Sequence, residues 1–121
     1  MSLKIKRVYD PVEPDDGHRF LVERLWPRGL KMVDLKMEAW CKEVAPSTNL
    51  RRWYAHDLTR WEEFKERYET ELKSRPSAWR PLVEVARQGN VTLLYSARDI
   101  KHNSALVLRD FLKDYLKKDV E

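Results

Sequence analysis

"VTLLYSA", residues 91–97, is the stretch on which the fold turns. From Val91 to Tyr95 it is apolar or β-branched on both faces, and a strand of that kind has to be covered on both sides. Asn90 and Gly89 precede it, and Arg98 and Asp99 follow it. A buried strand that breaks into polar residues and then into a helical pattern is a β–α unit, and we expect it to lie centrally in a small sheet.

Upstream of that strand the spacing predicts a helix that starts at Ser77, carries Pro81 near its first turn and ends at Gly89. Before it, Trp61, Phe64, Tyr68 and Leu72 recur every three or four residues and mark the buried face of a helix. Thr59 and Glu62 stand ahead of it in the Thr-x-x-Glu spacing of a capping box. Its acids, Glu62, Glu63, Glu66, Glu69 and Glu71, mix with Lys65 and Arg67 as on a solvated face. Downstream, Asp99 to Asn103 reads as a loop. Ala105, Leu108, Phe111, Leu112, Tyr115 and Leu116 then trace a last helix.

The first half is less regular. "KIKRVYD" (4–10) reads as a first strand, "PVEPDDG" (11–17) as a loop and "HRFLVERLW" (18–26) as a second strand. In the latter, Phe20 and Val22 face one way and Leu21 and Glu23 the other. Pro27 and Gly29 stop it. Asp34 is expected to cap a helix over 35–44, and Ser47 a second one within 46–57. These readings add up to a single α/β domain over residues 1–121, with a small parallel sheet of about three strands flanked by about five helices.

Bulk composition narrows the classes. The hydrophobic fraction of 42% and charged fraction of 36% describe a globular chain with a charged exterior. No apolar run approaches the roughly 20 residues that span a bilayer, and the N-terminus shows no export-type apolar stretch, so a cytoplasmic protein with no membrane partner is expected. The single cysteine, Cys41, excludes an intrachain disulfide. Net charge is +4, and residues 1–60 hold 12 Lys+Arg against 9 Asp+Glu, a modest surplus that permits an anionic partner.

Two segments stand where ligands bind in open α/β sheets, beyond the carboxyl ends of strands. One is "RLWPRG" (24–29) and the other is "YSARD" (95–99) with His102-Asn103 beyond it. If the strands are parallel, Arg24, Arg28, Ser96 and Arg98 gather on one edge, with Asn103 at the start of the last helix. Arginine donates paired hydrogen bonds to phosphate or carboxylate, a serine hydroxyl adds another, and Trp26 offers a flat face. The competing reading pairs these arginines with acids such as Asp99 or Asp10, or with a helix end, and puts Trp26 in the core. His102, where the last helix starts, and Ser96 are the weak catalytic candidates; Ser96 has no base at a diagnostic spacing. His56 is read as a turn residue and His18 has no assigned role. With no glycine-rich phosphate loop and no zinc spacing, neither a cofactor nor a metal is expected.

The blocks "KRVYDP" (6–11), "DGHRFLVERLWPRGLK" (16–31), "APSTNLRRW" (45–53), "VTLLYSARD" (91–99) and "HNSALVL" (102–108) resemble, in order and across nearly the whole chain, the YeaO-like proteins of bacteria and archaea. The resemblance implies a cytoplasmic α/β domain whose signature pieces are the Leu-Trp-Pro-Arg-Gly and Leu-Leu-Tyr-Ser-Ala segments. It implies no activity, because the family has none assigned. Three functions remain. The first is binding of a small phosphorylated, nucleotide or carboxylate ligand, with or without turnover. The second is a nucleic-acid-binding module built on Lys4, Lys6, Arg51, Arg52, Arg60 and stacking tryptophans. The third is an interaction domain presenting Trp40, Trp53, Tyr54 and Trp61.

Overall fold

A computed structural model describes residues 2–120 of the chain. It is a mixed α/β domain around one parallel sheet. The strands are β1 (Leu3–Arg7), β2 (His18–Leu21), β3 (Ala39–Trp40) and β4 (Val91–Tyr95), in the order β1-β4-β2-β3. β4 is the strand on which the others are built, pairing Leu3 with Val91 on one side and His18 with Val91 on the other. All five of its residues are buried, as their apolar run requires. Four α-helices are described: α1 (Thr48–Tyr54), α2 (Trp61–Ser74), α3 (Pro76–Gln88) and α4 (Ser104–Val120).

Strand alternation sorts the two faces. Leu3, Phe20, Val22, Val91, Leu93 and Tyr95 point to the helices, where Tyr68, Leu72, Trp79, Leu82, Leu108 and Leu112 complete the main core. Leu21 and Leu94 point the other way, and among the described residues no helix packs on them. The connection between β2 and β3 folds back over them, bringing Leu35, with Trp26, Leu30, Met37 and Trp40 packed around. Towards the strand N-termini this second face turns polar. There the buried Asp16 carboxylate takes Lys4 and Lys6 at 3.0 Å and an ion pair from Arg19, while Thr92 Oγ1 donates to the Asp16 carbonyl at 2.8 Å.

Several boundaries differ from the expectation. The helix over 35–44 is absent: Asp34 ends a short 3-10 turn, Ala39–Trp40 pair with Phe20 and Leu21 as β3, and a second turn follows at Lys42–Val44. Contact with β2 and the need to cover Leu21 and Leu94 override helical propensity in Met-Glu-Ala-Trp. That segment accounts for the fourth strand and one fewer helix. β1 and β2 are also shorter than "KIKRVYD" and "HRFLVERLW" suggest, although Val8 N–H and Val22 N–H still bond to Tyr95 and Leu94 on β4.

Helix ends follow local chemistry. Ser47 caps α1 as expected, accepting from Leu50 N–H at 3.1 Å, and its own N–H and hydroxyl bind Glu71 of α2. No Thr59–Glu62 box forms. Asp57 instead accepts from Thr59 in a one-turn 3-10 segment, and α2 starts at Trp61. α3 opens on Pro76, one residue before Ser77, so Pro81 lies inside the helix. Gly89 closes it through an N–H bond to Val85 in extended backbone, where any residue would serve.

Candidate functional site

Parallel strands bring all four carboxyl ends to one edge. β4 runs on into α4 over the helical face, whereas the chain after β2 turns to the opposite face, so the edge between them is a topological switch point. Ser96 and Glu23 meet there. The Glu23 carboxylate accepts from the Ser96 peptide N–H with one oxygen and from Ser96 Oγ, at 2.8 Å, with the other. The Glu23 carbonyl in turn accepts from Trp40 Nε1 at 2.6 Å, which fixes the residue to β3. Burial pushes the Glu23 carboxyl above the ordinary glutamate value, against the pull of the Ser96 bonds and the positive field of Arg51 on α1. Sequence reasoning placed Glu23 on the Leu21 face but gave it no role. The available signal was an acid one step past a buried strand, on the same face as Ser96.

The structure brings some expected site residues to this edge free of partners and turns others inward. Arg24 donates from Nε to the Pro46 carbonyl at 3.1 Å and from a terminal nitrogen to the Ala45 carbonyl at 3.2 Å, and so holds the entry to α1. Trp26 packs edge-on against Trp40, with ring centroids 5.3 Å apart, and gives its N–H to the Leu30 carbonyl at 2.6 Å. Neither is presented to a ligand. Arg28 and Arg98 are exposed and their guanidiniums have no bond to any described residue. A relay ties their stretches of backbone to that edge. Tyr9 donates its hydroxyl to the Arg28 carbonyl at 2.7 Å, Arg7 lies 4.9 Å over the Tyr9 ring, and Arg7 bonds the Ser96 and Ala97 carbonyls next to Arg98. Asn103 is buried as the cap of α4, accepting from Leu106 N–H at 2.9 Å and donating to the Asp99 carbonyl.

His102 is fixed by its neighbours. Asp99 accepts from His102 Nδ1 at 2.9 Å and from its peptide N–H, and Trp61 meets the ring edge-on at 5.2 Å. Those bonds, with the Lys101 N–H first among them, hold the Asp99 carboxyl below its usual value. Buried Tyr54 stands close by, its phenol pushed up first by burial and then by Asp99 and Asp57. Ser96 has Glu23 as its partner and no histidine, which is no nucleophile–base pair of the serine–histidine kind.

The other two function classes meet different geometry. Lys4 and Lys6 are committed to Asp15, Asp16 and Glu13, and Arg60 to Asp57 and the Trp53 carbonyl, so much of the proposed basic surface is already neutralised. Tyr54 and Trp61 are buried in the core, and Trp53 lies beneath the Arg60 and Arg67 guanidiniums. Glu13, Asp15 and Asp16 cluster closely enough to suggest a metal, but the same lysines and Arg19 fill that role. Open surface hollows lie on α2, one lined by Glu63, Glu66, Arg67 and Thr70 and its neighbour reaching Ser47. Among the described residues no helix is long and apolar enough to cross a membrane.

The family described as the inactive DUF488-N3 subclade matches residues 2–121, end to end with the fold described above. The chain belongs to that family. Within reach of it, the chain is 44% identical over 113 residues to the uncharacterised protein YeaO of Escherichia coli, an alignment covering 93% of this chain and 98% of that one. It is 39% identical over 110 residues to uncharacterised proteins of Mycobacterium bovis and Mycobacterium tuberculosis, covering 91% of this chain and 92% of each. No solved structure matches it significantly. The resemblance read from the sequence blocks is thereby a membership, and the α/β class expected with it is the one found.

Proposed function

We propose that this protein binds a small anionic ligand, phosphorylated or carboxylated, at the carboxyl edge between β2 and β4, and that binding without turnover is its role. The observation that carries this reading is the Ser96 donor pair. Its peptide N–H and hydroxyl converge on two oxygens of one carboxylate at the end of the central strand. An oxyanion is therefore a group this edge is shaped to hold. Arg28 and Arg98 border it without internal partners and supply the positive charge that would draw and clamp such a ligand. The word "inactive" in the family's description and the absence of a serine–histidine pair at Ser96 both favour binding over catalysis.

Thermal shift against inorganic phosphate, nucleoside monophosphates, sugar phosphates and dicarboxylates tests it, with Arg98→Ala and Arg28→Ala alongside. One of these anions should stabilise the wild type, by about 2.7 kcal/mol at 100 times its dissociation constant. Arg98→Ala should weaken it about tenfold or more at unchanged stability without ligand. A nucleic-acid module would instead lose affinity steeply between low and moderate salt. No stabilisation by any anion, or full affinity in both variants, would refute the reading.

A further inference from the structure

We propose that Glu23 is a resident occupant of the anion subsite, and that an external anion reaches the Ser96 N–H and hydroxyl by displacing it. The inference rests on the anion-binding reading above and names how that site is gated. The donors that a ligand would use are both taken by one side chain of the same chain, two oxygens to two donors. A tethered carboxylate competes at high effective concentration, so it lowers the apparent affinity for any free anion by the fraction of time the site stands open.

The molecule contains its own contrast. Glu71 makes the same two bonds to Ser47, but Arg75 also lies 3.4 Å from the Glu71 carboxylate, and the pair joins α1 to α2. Around Glu23 the facing groups are Ser96 at the end of β4, the Trp40 indole on β3 and Arg51 on α1. Of these only Arg51 is charged, and it makes no ion pair with Glu23. Burial disfavours the Glu23 carboxylate more than its surroundings restore it. Glu71 is a clasp; Glu23 is a displaceable occupant that keeps the subsite dry and correctly shaped.

The test removes the occupant and offers its missing part. Glu23→Ala deletes the γ-carbon and carboxylate, which acetate reproduces. Acetate at tens of millimolar should raise the melting temperature of Glu23→Ala and move the Ser96 amide resonance in a ¹⁵N–¹H spectrum, while leaving both unchanged in the wild type. Inorganic phosphate should bind Glu23→Ala about tenfold or more tighter than the wild type. Should Glu23→Ala not fold, Glu23→Gln keeps the volume without the charge and should show the same gain in phosphate affinity. A folded Glu23→Ala whose Ser96 amide ignores acetate, or phosphate affinity in Glu23→Gln equal to wild type, overturns the proposal. The two readings fail separately. Acetate at Ser96 with no ligand for the wild type would keep the subsite and remove the function. A wild-type ligand lost with Arg98 but indifferent to Glu23 would do the reverse.

Discussion

Single residues carry much of what distinguishes this chain. Gly17 sits at φ 62°, and a Cβ there would lie 2.3 Å from the Asn90 carbonyl oxygen that accepts from His18 N–H. Gly29 has a similar φ of 72° but open space around it. The pair separates two costs. Gly29→Ala should lose about 1 kcal/mol, the backbone term alone, and Gly17→Ala at least about 2 kcal/mol, because the strand start must shift as well. Urea titration of both reads the difference as a lower midpoint at unchanged slope.

Asp16 is the second such residue. Hydrogen bonds from Lys4, Glu13 N–H, Lys6 and Arg19 overcome its burial and hold the carboxyl far below its ordinary value. A depressed pKa gives stability that is complete above the unfolded value near 4 and drains as the pH falls towards the folded one. Asp16→Asn should cost about 3 kcal/mol at pH 7, the lower end of the range for a broken buried pair, since the freed lysines can swing to water. The gap between variant and wild type should narrow below pH 4 in paired melting curves. The sequence showed three acids and a glycine in "PVEPDDG" and suggested only a loop; nothing local distinguishes the buried Asp16 from the exposed Asp15.

Between elements, buried polar groups fix how the helices sit. Tyr68 is almost fully buried in α2, yet its hydroxyl donates at 2.5 Å to the Val44 carbonyl in the turn before α1. Burial pushes that phenol far up, so it stays a donor throughout the working pH range. Trp79 of α3 likewise gives its N–H to the Leu72 carbonyl at 2.8 Å, closing the α2–α3 corner. Tyr68→Phe keeps the ring and removes the donor, leaving the Val44 carbonyl without this partner. It should destabilise by about 1–2 kcal/mol in equilibrium unfolding. No loss would mean that water replaces the hydroxyl. The α2 face was legible because four aromatic and aliphatic residues repeat at helical spacing. The partner of the Tyr68 hydroxyl was not, since it lies 24 residues away.

At the scale of the whole molecule, legibility divides by range. β4, the four helices and the edge where strands end could be read from apolar period and from turn residues, because those signals are local. β3 could not. Two residues of strand have no period, and they pair only because Leu21 is already in place. The candidate site was half visible. Ser96, Arg28 and Arg98 stand at the expected edge, but the carbonyls that draw Arg24 inward, and the carboxylate on Ser96, depend on strand order, which spacing alone does not determine.

Strand order also bears on how the chain comes into being. β1 and β2 are complete by Leu21, yet they do not pair with each other; the strand that joins them starts at Val91. During synthesis the first two strands therefore wait, with unpaired edges, while some seventy residues emerge. The helices between can gather early, but the sheet closes in one late event that spans most of the chain. Contacts of such long range make closure slow compared with helix formation. A ribosome stalled between α3 and β4 would release three helices with two loose ribbons, a form suited to capture by a holding chaperone.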